Sequence, residues 1–129
     1  MSTSSVPHPQ AIGADDGAIV AEAVLAAAER VGVPNVVLAR VIGRDQSSIS
    51  RLKSGHHRLK RTEKSFELAV LFVRLYRSLD AIVGGDKAAA AAWLRGENRA
   101  LRGRPIDLIQ SVTGLTDVLA YLDSRRAPL

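Results

Sequence analysis

Residues 35–54, NVVLARVIGRDQSSISRLKS, closed by Gly55, decide the fold. They read as two short helices joined by a tight turn. Ala39 sits where the first helix must approach the second closely, and a larger side chain there would clash. Gly43 follows at the turn, where a positive φ would cost glycine nothing. Ile49 and Leu52 give the second helix an apolar i, i+3 edge to pack on Leu38 and Ile42. Its opposite face carries Gln46, Ser47, Ser50, Arg51 and Lys53, all hydrogen-bonding side chains. Such a two-faced helix suits the DNA major groove, where base edges present a distinct donor–acceptor code.

The spacing resembles the helix-turn-helix of phage-repressor-like (Xre/Cro type) regulators, and Gln46 falls where many of them carry a base-reading glutamine. An ordinary helical hairpin would satisfy the same loose pattern; charge separates the two readings. Residues 1–34 hold one Arg against four acids, and residues 65–129 nine basic against seven acidic residues. Residues 35–64 hold eight Lys and Arg against two acids, so nearly all of the net charge of +5 lies here. A basic surplus on and just after a reading helix is the footprint of a phosphate-binding surface.

Apolar residues make up 47% of the 129-residue chain, enough for a core, but aromatics only 4% and alanine much of the rest. That balance favours helix, and the expected class is all-α. Cysteine is absent, so neither disulfides nor thiolate metal sites are available. The opening MSTSSVPHPQ has neither the basic residues nor the apolar run of a secretory signal, and no stretch reads as a membrane span. A cytoplasmic protein is expected.

Working outward, residues 1–14 are expected to form a disordered arm rich in Ser and Pro. Residues 15–61 make the helix-turn-helix region, 62–85 a long connecting and dimerisation helix, and 86–129 a small helical module. A first helix should start at Asp15 or Asp16 and run to Val31, with Gly32 as its stop and Val20, Val24, Ala27, Ala28 and Val31 as its buried stripe. Asn35 and Asp45 are expected to cap the next two helices, Thr62 the long one and Asp86 the one after it. The long helix has apolar positions on two sides: Leu68, Leu71, Phe72, Leu75, Leu79 and Ile82 on one, Phe66, Ala69, Val70, Val73 and Tyr76 on the other. It should therefore be buried on two sides, a dimer interface being one use of the surplus. Pro105 suits the first turn of a helix reaching Thr113, with Gly114 just past its end and Thr116 capping a last helix.

The ordered set Trp93-Leu94, Asn98, Ala100-Leu101, Gly103, Pro105, Leu108-Ile109, Gly114, Val118 and Leu122 resembles the toxin-binding domain of Xre/MbcA/ParS-type antitoxins. Taken as residues alone, these are scaffold. Asn98 can bond the open backbone of the turn that follows, and Leu108, Ile109, Val112, Leu115, Val118, Leu119 and Leu122 form a core stripe. What the resemblance implies is a partner: a RES-domain toxin that consumes or transfers from NAD, with the antitoxin's C-terminal end in or near the toxin's cleft. The residues placed to do so are Arg102, Arg104, Tyr121, Arg125, Arg126, Pro128 and Leu129. RRAPL is equally readable as a frayed terminus.

No catalytic constellation emerges, and the chain is read as a non-enzyme that needs no cofactor. His56-His57 has no companion ligands at metal spacing, Gly84-Gly85-Asp86 lacks the Lys-Ser/Thr of a phosphate loop, and Ser47, Ser48 and Ser50 have no base beside them. The sequence thus points to a dimeric antitoxin that represses its own promoter. Gln46, Ser47, Ser50 and Arg51 would read bases, and Arg44, Lys53, His56, Arg58 and Lys60 would hold phosphates. A stand-alone repressor, or a protein-binding inhibitor with an inert helix-turn-helix, each explains one half of the pattern.

Overall fold

The computed structural model describes residues 9–126, with side-chain surroundings from Asp16 onward. Among the described residues the fold is all-α, with seven helices: α1 (Pro9–Arg30), α2 (Asn35–Ile42), α3 (Gln46–Ser54), α4 (Lys64–Ile82), α5 (Lys87–Arg95), α6 (Pro105–Leu108) and α7 (Val112–Arg126). The α1 helix begins at Pro9, ahead of the expected Asp15 or Asp16. Proline is tolerated at a first helical position, where its missing N–H has no partner to lose. Residues 1–8 of the expected arm lie outside the described residues.

The α4 helix is the pillar. It packs against α1 and α2 on one side and most extensively against α7 on another, with α5 at its end. Leu68, Ala69, Phe72, Leu75 and Leu79 are its buried residues, and they join Val24 and Ala28 of α1, Leu38 and Ile42 of α2, Ile49 and Leu52 of α3, and Leu115, Val118 and Leu122 of α7 in a single core. Two-sided burial is only partly realised. Phe66, Val70, Val73 and Tyr76 are half-buried, and Ile82 is exposed.

Helix ends follow local chemistry where a short polar residue or a glycine stands ready. Asp45 accepts the Ser48 N–H at 2.8 Å, and Asp86 accepts the Ala89 N–H at 3.1 Å, as N-caps do. Gly43, at φ 72°, closes α2 while the Arg44 N–H reaches back to the Ala39 carbonyl at 2.8 Å. Two expected caps shift by one residue. Pro34 occupies the cap position of α2 with Asn35 already helical, and Glu63 rather than Thr62 precedes α4.

The last two helices depart furthest from expectation. α6 stops at Leu108, and α7 starts at Val112, so Gly114 and Thr116 lie inside it. The Ser111 hydroxyl accepts the Gly114 N–H at 3.1 Å and caps α7, while Thr116 Oγ1 donates back to the Val112 and Thr113 carbonyls. The reason is a close approach: a Cβ built on Gly114 would stand 1.9 Å from the Leu108 carbonyl oxygen. Glycine here lets α7 cross the end of α6. Val112, expected in the core stripe, is 56% exposed because it opens the helix on its outer side.

Candidate nucleic-acid interface and C-terminal partner surface

Helix α3 is anchored by Ile49 and Leu52, both in the core, and by the buried Ser48. Opposite them Gln46, Ser47, Ser50 and Arg51 are all exposed, so the four expected base readers share the outer side. Ser54, one turn beyond Ser50, continues that face, and the helical period counted from Ser50 would have found it. The Arg51 guanidinium lies along α3, donating to Ser48 Oγ at 3.1 Å and to Ser47 Oγ at 3.4 Å. The Ser48 N–H draws the Asp45 carboxyl down to about 2 from 3.8, and the hydroxyls of Ser48 and Ser47 add to the effect. The α3 cap therefore stays ionised at any pH near neutrality.

Of the five expected phosphate holders, Lys53, His56, Arg58 and Lys60 are exposed on α3 or in the segment after it. Arg44 is placed differently. Its side chain is 17% exposed, and its guanidinium donates to Glu63 Oε2 at 3.3 Å, to Ser65 Oγ at 3.3 Å and to the His57 ring. The Lys60 N–H bonds Glu63 Oε1 at 2.9 Å and holds that carboxyl below its usual range, with Arg44 adding to it. Arg44 thus ties the α2–α3 turn to the basic segment 55–63 through His57 and Glu63, and to the start of α4 through Ser65. That clamp escaped the sequence reading, because His57 and Glu63 meet Arg44 only once the chain has turned back on itself.

In the C-terminal half, Asn98 works as expected: its Oδ1 accepts the Leu101 N–H at 3.0 Å, and its carbonyl accepts Arg102 and Gly103 N–H. Arg102 sits at φ 64°, the sole non-glycine residue at positive φ among those described, and it is exposed. A large side chain held in the left-handed region carries strain that a glycine would not. Arg104 is turned onto Asp107 by two hydrogen bonds, 3.0 and 3.2 Å, which raise its already high pKa. Tyr121 stacks on Trp93 with centroids 6.3 Å apart and planes 17° from parallel, and Arg125 lies over the Tyr121 ring at 5.7 Å. Arg126 reaches instead to Ser78 Oγ of α4 at 3.1 Å. Pro128 and Leu129 lie outside the described residues.

Trp93, Tyr121 and Arg125 therefore form a half-exposed stack between α5 and α7, a composition common at protein-binding hot spots. Trp93 was read only as scaffold. No sequence signal marked the stack, since its two rings are brought together only by the fold. Among the described residues no three His, Cys, Asp or Glu side chains gather as a metal site, and no helix is long and apolar enough to cross a membrane.

Two family models match the chain in the same order. The antitoxin Xre-like helix-turn-helix domain covers residues 10–74, half of the chain, and the antitoxin Xre/MbcA/ParS C-terminal toxin-binding domain covers residues 78–127. The resemblance read from Gly43, Gln46, Asn98, Gly103 and Pro105 is thereby borne out. No curated protein gives a significant match to the sequence.

Proposed function

The chain belongs to the Xre-like antitoxin family, and from that premise we propose that it neutralises a RES-domain, NAD-consuming toxin by direct binding and represses its own operon as a homodimer in the cytoplasm. The observation that carries this reading is the pairing of two outward surfaces on one core. One is the polar face of α3, and the other is the Trp93–Tyr121–Arg125 stack in the toxin-binding domain.

On the DNA side, Gln46, Ser47, Ser50, Arg51 and Ser54 read base edges, and Lys53, His56, Arg58 and Lys60 neutralise phosphates. A dimer presents two α3 helices about 34 Å apart and selects an inverted repeat. On the toxin side, Arg102, Arg104, Tyr121, Arg125 and Arg126 contact the toxin, with Pro128 and Leu129 reaching its cleft. No chemistry is assigned to the chain itself; it acts by occupying surfaces.

The test is co-expression of the tagged chain with its neighbouring reading frames, then an NAD-consumption assay on any protein that co-purifies. A tight partner whose released form consumes NAD supports the proposal. A chain that shifts its own promoter and captures nothing leaves a stand-alone repressor. Deleting residues 124–129 should abolish neutralisation and spare DNA binding; neutralisation retained after the deletion removes the C-terminal end from the interface.

A further inference from the structure

The outer face of α4 is left uncovered by the rest of the fold. Val70 lies opposite the buried Phe72, Leu75 and Leu79, at the middle of this face. Helical geometry sets Phe66 and Val73 on one flank of Val70, and Glu67 and Arg74 on the other. The apolar flank continues onto α1: Ile19, Val20 and Ala23 line a shallow groove of about 210 Å³ together with Val70, Val73, Arg74 and Arg77. Ile19 is 60% exposed, the largest exposure among the chain's big apolar side chains described. Beside the half-buried Val70 and Val73 it leaves an apolar strip open to a covering surface.

The arrangement of charge identifies that surface. Glu67 stands three residues before Val70 and Arg74 four residues after it, on the same flank. When two such helices cross antiparallel about a two-fold axis at Val70, each flank meets its own copy with the order reversed. Glu67 of each copy then faces Arg74 of the other, Phe66 faces Val73, and Val70 faces Val70. Both charged side chains are available for this: Glu67 is 68% and Arg74 57% exposed, and their contacts within the chain, to Lys64 and Asp123, are surface pairs that are exchanged at little cost.

We infer that this α4 face, extended by Ile19 of α1, is the surface on which a second copy of the chain docks. The inference rests on the proposed reading of α3 as the reader of one half-site, and it names the face that brings two readers together. It also accounts for the half-buried second stripe of α4, which the monomer leaves open.

The test is analytical ultracentrifugation of the full chain across micromolar concentrations, with circular dichroism to establish that each variant is folded. Val70→Glu should weaken the dimer at least about tenfold. Glu67→Arg and Arg74→Glu should each weaken it by about two- to tenfold, and the double variant should return to within about twofold of the parent. Within one chain Glu67 and Arg74 are two helical turns apart, so rescue reports contact between copies. A monomeric parent, a dimer indifferent to Val70→Glu, or charge swaps without rescue would each overturn the inference. A monomer that still shifts its promoter leaves the repressor reading intact, whereas a dimer broken by Val70→Glu that never bound DNA keeps the interface and loses that reading.

Discussion

The turn between α2 and α3 and the turn between α6 and α7 both join helices over three residues, and they are made by different means. The first is written into its own residues: Gly43 in the left-handed region ends α2, and Asp45 caps α3 through the Ser48 N–H. The second depends on a contact between helices, Gly114 against the Leu108 carbonyl, with Ser111 as cap. A locally coded turn survives the exchange of its neighbours, whereas a contact-coded turn is only as stable as the packing it permits.

The largest test of this contrast is Gly114→Ala. The new methyl group meets backbone at α6, which cannot rotate away, and the expected loss in denaturant unfolding is about 3 kcal/mol or more. A loss under about 1 kcal/mol would show that the α6–α7 turn opens freely, and the contrast would fail. On the outer face of α3, Arg51→Ala should cost about 1–3 kcal/mol on the operator and relax one base position. An equal loss on random DNA makes Arg51 a phosphate contact. Lys53→Ala should lower the salt slope of binding by about one unit. Arg44→Ala should leave that slope unchanged while lowering the melting temperature, because its guanidinium is committed to Glu63, Ser65 and His57.

Two smaller substitutions of opposite sign sharpen the comparison. Gly43→Ala places a side chain at φ 72° and should destabilise by about 1 kcal/mol, although the space itself is ordinary, with Leu68 Cδ1 at 3.6 Å. Arg102→Gly relieves the left-handed strain of the C-terminal loop and should stabilise by about the same amount, at the expense of affinity for the toxin. Thermal unfolding of both reads the signs.

The smallest effect is a pH dependence. Asp45 has its pKa depressed in the folded chain, so its contribution is present above its ordinary 3.8 and is lost as pH falls from there through about 2. The melting temperature of Asp45→Ala should lie below that of the parent near neutrality, and the gap should close across that window. A constant gap would place the effect outside the ionised cap.

The same division explains what could be read in advance. The positions of α2, α3 and α5 followed from Asp45, Asp86, Gly43 and the apolar spacing of Leu38, Ile42, Ile49 and Leu52, all of which act within one or two turns of chain. The end of α6 was misread because Gly114 signals a stop by composition and serves as a crossing by geometry. Arg44 was assigned to phosphate on its charge alone, since only the fold brings Glu63 and His57 to it. The exposed polar face of α3 was legible from period; the Trp93–Tyr121 stack was not, because residues 28 positions apart meet only when α5 and α7 pack.

One consequence follows from α4 as the pillar shared by both halves. Its buried residues stabilise the DNA-reading head and α7 at once, so the head has no separate core to retreat to when α7 is lost. Global opening then exposes the whole chain to proteolysis in one event. In a cell that degrades this chain, the helix-turn-helix and the toxin-binding domain are lost together, on a clock set by a single unfolding equilibrium.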